Sequence, residues 1–147
     1  MTAHEETLLP APLAAAIDLD EVRVIARWHT PLARMLKVTI VRGSRIFWEN
    51  AQEEARTIGE CAHLSHELVH VWQYEALRRT GVELLLSRVY RYRLDPSRHF
   101  LSYGYEQQAA IVEDFTRMKA GATSRWAVAP FAALVDYERV IETAARI

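Results

Sequence analysis

The stretch Leu64-Ser65-His66-Glu67-Leu68-Val69-His70-Val71-Trp72-Gln73 decides how the rest of the chain is read. It carries a His-Glu-x-x-His pattern at His66, Glu67 and His70. Leu64, Leu68, Val69, Val71 and Trp72 are apolar at helical spacing, and no Pro or Gly interrupts residues 60–79, so the pattern predicts a buried helix. Residues four apart on a helix share a face, one turn above the other, and two imidazoles so placed can grip one metal ion. Glu67, beside the first histidine, can reach a metal-bound water without itself ligating the metal. Zinc in such a site takes three protein ligands and keeps an open position for water, whose pKa falls to about 7 on the metal. A carboxylate base completes the activation. The expected chemistry is zinc-dependent hydrolysis, with a peptide or protein as the first candidate substrate.

The chain is 147 residues long, the size of one domain, and shows no repeat, low-complexity run or linker, so residues 1–147 are expected to form a single domain. Half the residues are hydrophobic and 25% are charged, a globular balance. A net charge of −1 gives no electrostatic case for nucleic acid or an anionic membrane as partner. Cys61 stands alone, so no internal disulfide can form. No apolar run approaches the roughly 20 residues that span a bilayer. His4, Glu5 and Glu6 precede a short Ala-rich run with no basic leader, which argues against a secretory signal. The expected compartment is the cytoplasm, with leaderless export left open.

Outward from the motif, residues 1–9 read as a loose terminus and residues 10–17 as a short Ala-rich helix. Residues 21–26 suggest a short strand, and Thr30-Pro31 a turn or short helix through Leu36. Residues 37–41 and 45–48 are β-rich around Arg42-Gly43-Ser44, which predicts a hairpin. The motif helix is expected to begin at Glu53 or Thr57 and to stop near Thr80-Gly81. Residues 82–92, with Leu84, Leu85, Leu86 and Val89, read as a second helix, residues 102–119 as a third and residues 127–147 as a last one. Asp95-Pro96-Ser97 marks a turn.

Two histidines leave a zinc site one ligand short. His63 lies seven residues from His70, about 10 Å along a helix axis, too far to share their ion. The better candidates lie in Tyr103-Gly104-Tyr105-Glu106-Gln107-Gln108-Ala109-Ala110-Ile111-Val112-Glu113-Asp114. Glu106 sits in the first turn of a predicted helix, where a carboxylate serves equally as a ligand or as a complement to the helix dipole. Glu113 lies two turns on, roughly on the same face, placed to support a ligating histidine from behind.

The motif helix together with Tyr103-Gly104-Tyr105-Glu106-Gln107-Gln108-Ala109 and Ile111-Val112 resembles a group of short bacterial zincin-like proteins. These are usually labelled Vgr-related and are akin to small gluzincin metallopeptidase domains. Arg91-Tyr92-Arg93-Leu94-Asp95, Phe100, and Ile17-Asp18 to Arg23 also fit, so the resemblance spans about residues 18–115. It implies an α+β fold, mostly helical, with a small sheet or hairpin packed on the motif helix and a glutamate helix. It implies His66, His70 and Glu106 as ligands of one zinc ion per chain and Glu67 as catalytic base. Gluzincins commonly place an Asp four residues after the ligand Glu, and here that position is Ala110. Either Glu113 or Asp114 then takes over, or the site is less well oriented.

Further site expectations follow from position. Ile46, Phe47 and Trp48, in the strand ahead of the motif helix, would offer an edge to an extended substrate backbone. Tyr103 and Tyr105 are candidate donors to a developing oxyanion. The alternative to an enzyme is a non-catalytic metal-binding or interaction module on the same frame. The group's label makes a secretion apparatus its implied partner.

Overall fold

One helix organises the molecule because it is buried almost all round. The computed structural model describes residues 1–78 and 88–145. Within it, the motif helix runs Ile58–Glu75, and of residues 61–73 every one but His63 is buried. It starts where Thr57 caps it. The Thr57 hydroxyl accepts from the Glu60 N–H at 3.1 Å, and the Glu60 carboxylate returns to the Thr57 N–H at 2.9 Å. This reciprocal cap satisfies donors that a helix start otherwise leaves open. The helix ends earlier than the sequence suggests: Arg78 takes a left-handed conformation (φ 54°) and turns the chain away ahead of Gly81. Gly81 lies outside the described residues, as does most of the helix expected over residues 82–92. Residues 88–91 are not helical, and Tyr92 bridges to Ala127.

Among the described residues, six α-helices and one three-stranded sheet make an α+β domain. In chain order the elements are α1 (Ala3–Glu6), α2 (Ala11–Ala14), β1 (Arg23–Ile25), α3 (Pro31–Leu36), β2 (Ile40–Arg42), β3 (Arg45–Phe47), α4 (Ile58–Glu75), α5 (Tyr105–Lys119) and α6 (Leu134–Glu142). The terminus expected to be loose is tied down. Thr2 and Glu5 cap α1 reciprocally, and the buried Glu5 carboxylate accepts from the Ala55 N–H at 2.9 Å. The hairpin is present as predicted, with Arg42 opposite Arg45 and Gly43 at φ 60° in the turn. Strand order is β1-β3-β2, with β1 parallel and β2 antiparallel to β3. Thus β3 is the middle strand, and the sheet's free edge beside the hairpin is β2.

Helix α5 packs along α4, and β2 and β3 pack on α4 as well. Trp72, Leu64, Leu68, Ile46, Phe100, Ile111, Tyr137 and Ile141 are fully buried in one core. Helix α5 begins at Tyr105 rather than at Ser102, because residues 100–102 form a separate 3-10 turn capped by the His99 side chain. The last helix is shorter than residues 127–147. Ala127 is engaged with Tyr92, and Pro130 has no N–H and disfavours helix in the residue before it, so α6 starts only at Leu134.

Candidate metal centre

His66 and His70 stand one turn apart on α4, with ring centroids 4.9 Å apart. The first turn of α5 delivers Glu106 between them. Its Oε2 lies 3.3 Å from His66 Nε2 and 3.3 Å from His70 Nε2. All three residues are buried, and their three donor atoms fall within 4.8 Å of one another. Bonds of about 2.0–2.1 Å meeting at tetrahedral angles put neighbouring ligand atoms about 3.3 Å apart, so this spacing matches a tetrahedral edge.

The protonation pattern points the same way. His66 Nδ1 donates to Glu113 Oε2 at 3.0 Å, and His70 Nδ1 donates to Gln73 Oε1 at 2.8 Å. Gln73 is locked in that orientation because its Nε2 donates to Tyr105 O and to Gln108 Oε1, each at 2.9 Å. Gln108 in turn donates to Tyr103 O at 2.8 Å. With Nδ1 protonated on each ring, both Nε2 lone pairs face the Glu106 carboxylate. Glu106 Oε2 is buried and accepts no hydrogen bond. Three lone-pair donors converging away from water call for a positive charge between them. Without a metal, a proton serves: burial alone would lower His66, but Glu106 and Glu113 carry it up to about 10. Burial would raise Glu106, but the facing imidazoles hold it down to about 2. The residues present fit a divalent cation with an N, N, O ligand set.

Of the two carboxylates expected to support a histidine from behind, Glu113 is the one in contact with His66. Besides His66 it accepts from Trp126 Nε1 at 2.7 Å and faces Arg125 Nη1 at 3.5 Å. Asp114, the other candidate for this task, turns elsewhere. It accepts from the Tyr92 hydroxyl at 2.7 Å and from the N–H groups of Trp126 and Ala127, each at 3.0 Å. It fastens the segment that carries Trp126 and does not touch a histidine.

A groove of about 580 Å³ opens over the three donors. Glu67, also buried, lines it but stays out of the donor cluster. Its Oε1 is 3.6 Å from His63 Nε2, which also meets the Thr39 hydroxyl at 3.0 Å. His63 therefore lies beside the expected base, on the groove face of the helix but too far along its axis from His70 to join the donors. Residues 37–41, which include the start of β2, line the groove too. The strand expected to offer an edge, at Ile46, Phe47 and Trp48, is not an edge. Ile46 and Phe47 belong to β3, whose two sides are taken by β1 and β2, and Trp48 packs its ring on His63 at 4.7 Å. The free edge at the groove is β2.

The two tyrosines named from sequence are also placed elsewhere. The buried Tyr103 hydroxyl accepts from the Asp95 N–H at 2.9 Å. The Tyr105 ring stacks on His70, 4.8 Å away and 11° from parallel. Neither lines the groove, whereas Tyr90 does. Its ring stacks on Trp126 at 4.8 Å and lies 5.9 Å from His66, and burial followed by the nearby Glu106 raises its hydroxyl pKa. Arg125 and Trp126 have no sequence signal that ties them to the motif, since a loop brings them in.

No family model matches the chain, and no solved structure matches it. Over an alignment of 75 positions the chain is 35% identical to the type VI secretion system spike protein VgrG2b of Pseudomonas aeruginosa. The match covers 42% of this chain and only 7% of that protein. It supports a relation to the Vgr proteins over that segment. No helix of the described residues is long and apolar enough to cross a membrane.

Proposed function

We propose that this chain is a zinc-dependent metallopeptidase of the zincin type, with His66, His70 and Glu106 as ligands and Glu67 as general base. The observation that carries this reading is the convergence of three lone-pair donors, with Glu106 Oε2 unbonded, at the floor of a groove that Glu67 also lines. A bound zinc ion would supply Lewis acidity to a peptide carbonyl and to water. Glu67 takes a proton from the attacking water and delivers it to the leaving amine as the C–N bond breaks. The free side of β2 pairs with the backbone of an extended substrate. Tyr90, which lines the groove beside His66, donates its hydroxyl hydrogen bond to the carbonyl oxygen as charge develops there. Glu113 and Gln73 keep both imidazoles oriented throughout.

The shared segment with a secretion spike protein supports a second element of the proposal. The chain works with a secretion apparatus of that kind, and is held in the bacterial cytoplasm until it leaves by that route. As a non-catalytic module of such an apparatus it would keep the metal and lose only the chemistry. Metal analysis of the purified protein and a diverse peptide-library assay separate the two. The enzyme reading expects about one zinc per chain and cleavage that Glu67→Gln abolishes. Zinc bound with no substrate cleaved would hand the site to the module reading.

A further inference from the structure

The groove carries three cations that the hydrolytic steps do not use. Lys37, Arg88 and Arg125 reach it from three separate segments. Lys37 closes α3 in the left-handed conformation (φ 52°) and stands on the groove wall. Among the described residues neither Lys37 nor Arg88 has a carboxylate within ion-pair distance. Arg125 sits over the Trp126 ring, 4.4 Å from its centroid, and 59% of its side chain remains exposed although it faces Glu113. The groove's carboxylates are already engaged. Glu106 faces the histidines, Glu113 holds His66 and Trp126, and Glu67 is beside His63. With a divalent cation in place, its two charges and those of Lys37, Arg88 and Arg125 outweigh the single charges of Glu67, Glu106 and Glu113. The chain as a whole has a net charge of −1, so this surplus is local to the groove.

We propose that the groove selects peptides carrying carboxylate side chains, Asp or Glu close to the bond to be cut, and that Lys37, Arg88 and Arg125 recognise them. This rests on the peptidase reading and adds the substrate class. A cleft with a net surplus of one charge sign concentrates ligands of the other sign. Exposed pairs are individually weak, so selectivity comes from several cations acting on one extended chain.

The test uses the zinc-loaded Glu67→Gln protein, which separates binding from turnover. Fluorescent peptides of one polar frame carry Glu, Gln or Lys at successive positions, each made with a free and with an amidated C-terminus. The Glu peptides are expected to bind about tenfold tighter than their Gln counterparts at low salt. That advantage should shrink as salt rises. Adding Lys37→Glu and Arg88→Glu together should reverse the order, so that Lys peptides bind best, with retained zinc content showing that the fold is intact. Peptides that bind with no preference for Glu over Gln overturn the proposal and leave the peptidase reading standing. A preference that follows only the free C-terminus overturns it in favour of a terminal-carboxylate site. Binding of no peptide of any charge overturns both.

Discussion

Glu113 and Asp114 are neighbours on α5 with separate tasks, and substitution can tell them apart. Glu113→Gln leaves His66 without its carboxylate, and loss of such an outer partner typically costs 10- to 100-fold in metal affinity, so zinc titration should weaken by about that factor. Asp114→Asn instead loosens the anchor of Trp126, Ala127 and Tyr92, and should lower the melting temperature more than it lowers zinc affinity. Equal effects of the two on zinc affinity would contradict this division. For Glu67→Gln the expectation is normal zinc content with hydrolysis reduced on the order of 100- to 10,000-fold, read from steady-state cleavage. The titration of His66 gives a further test. Its folded pKa of about 10 is raised above the ordinary 6.5, so its proton stabilises the metal-free fold below pH 6.5, and that contribution is lost as pH rises through about 10. Zinc must displace this proton. Across pH 6–8, calorimetry in buffers of different ionisation enthalpy should show about one proton released per zinc, and apparent affinity should rise about tenfold per pH unit. An affinity flat with pH would show that His66 enters the site already neutral. His66, Glu67 and His70 were legible because their geometry is internal to one helix. Glu106 and Glu113 were legible only as a pair seven residues apart, and choosing between ligand and dipole complement needed the fold. Gln73 stood in the motif stretch three residues after His70, a spacing that puts it on the same face, and its role as the clamp on Nδ1 could have been read there.

At the scale of elements, α4 and the hairpin follow from the sequence because their signals are local. Thr57 with Glu60 marks the start of α4, and Arg42-Gly43-Ser44 marks the turn. The edge of the sheet does not follow, because a hairpin alone leaves either strand free. The parallel pairing of β1 with β3, made across α3, decides that β2 faces the groove, and such a non-local contact leaves no trace in local patterning. The substrate edge can be tested directly. Val41→Pro removes a backbone N–H from β2, a change an edge strand tolerates better than a middle one. It should raise KM for extended peptides by about an order of magnitude while zinc content stays near one per chain. An unchanged KM would move the substrate off β2. Helix α1 is a second element whose role was hidden. Its buried Glu5 joins the terminus to Ala55, a contact between segments fifty residues apart. Glu5→Ala strands the Ala55 N–H and removes the α1 cap, and should destabilise the fold by about 1–3 kcal/mol in denaturant unfolding.

For the molecule as a whole, binding of a metal at this site would be coupled to the stability of the fold. The ligands come from two helices packed along each other, so a cation between His66, His70 and Glu106 ties α4 to α5. A ligand at 1,000 times its dissociation constant adds about 4 kcal/mol of stability. For a domain of this size that raises the melting temperature by about 10 °C, and a chelator should reverse it. Zinc K-edge absorption of the zinc-loaded protein reads the composition of that centre. The spectrum is predicted to fit two imidazole nitrogens, one carboxylate oxygen and one further oxygen at about 2.0–2.1 Å, and His66→Ala should remove the imidazole signature along with stoichiometric zinc. A fit that needs sulfur from Cys61 at about 2.3 Å, or an unchanged spectrum in His66→Ala, would contradict it.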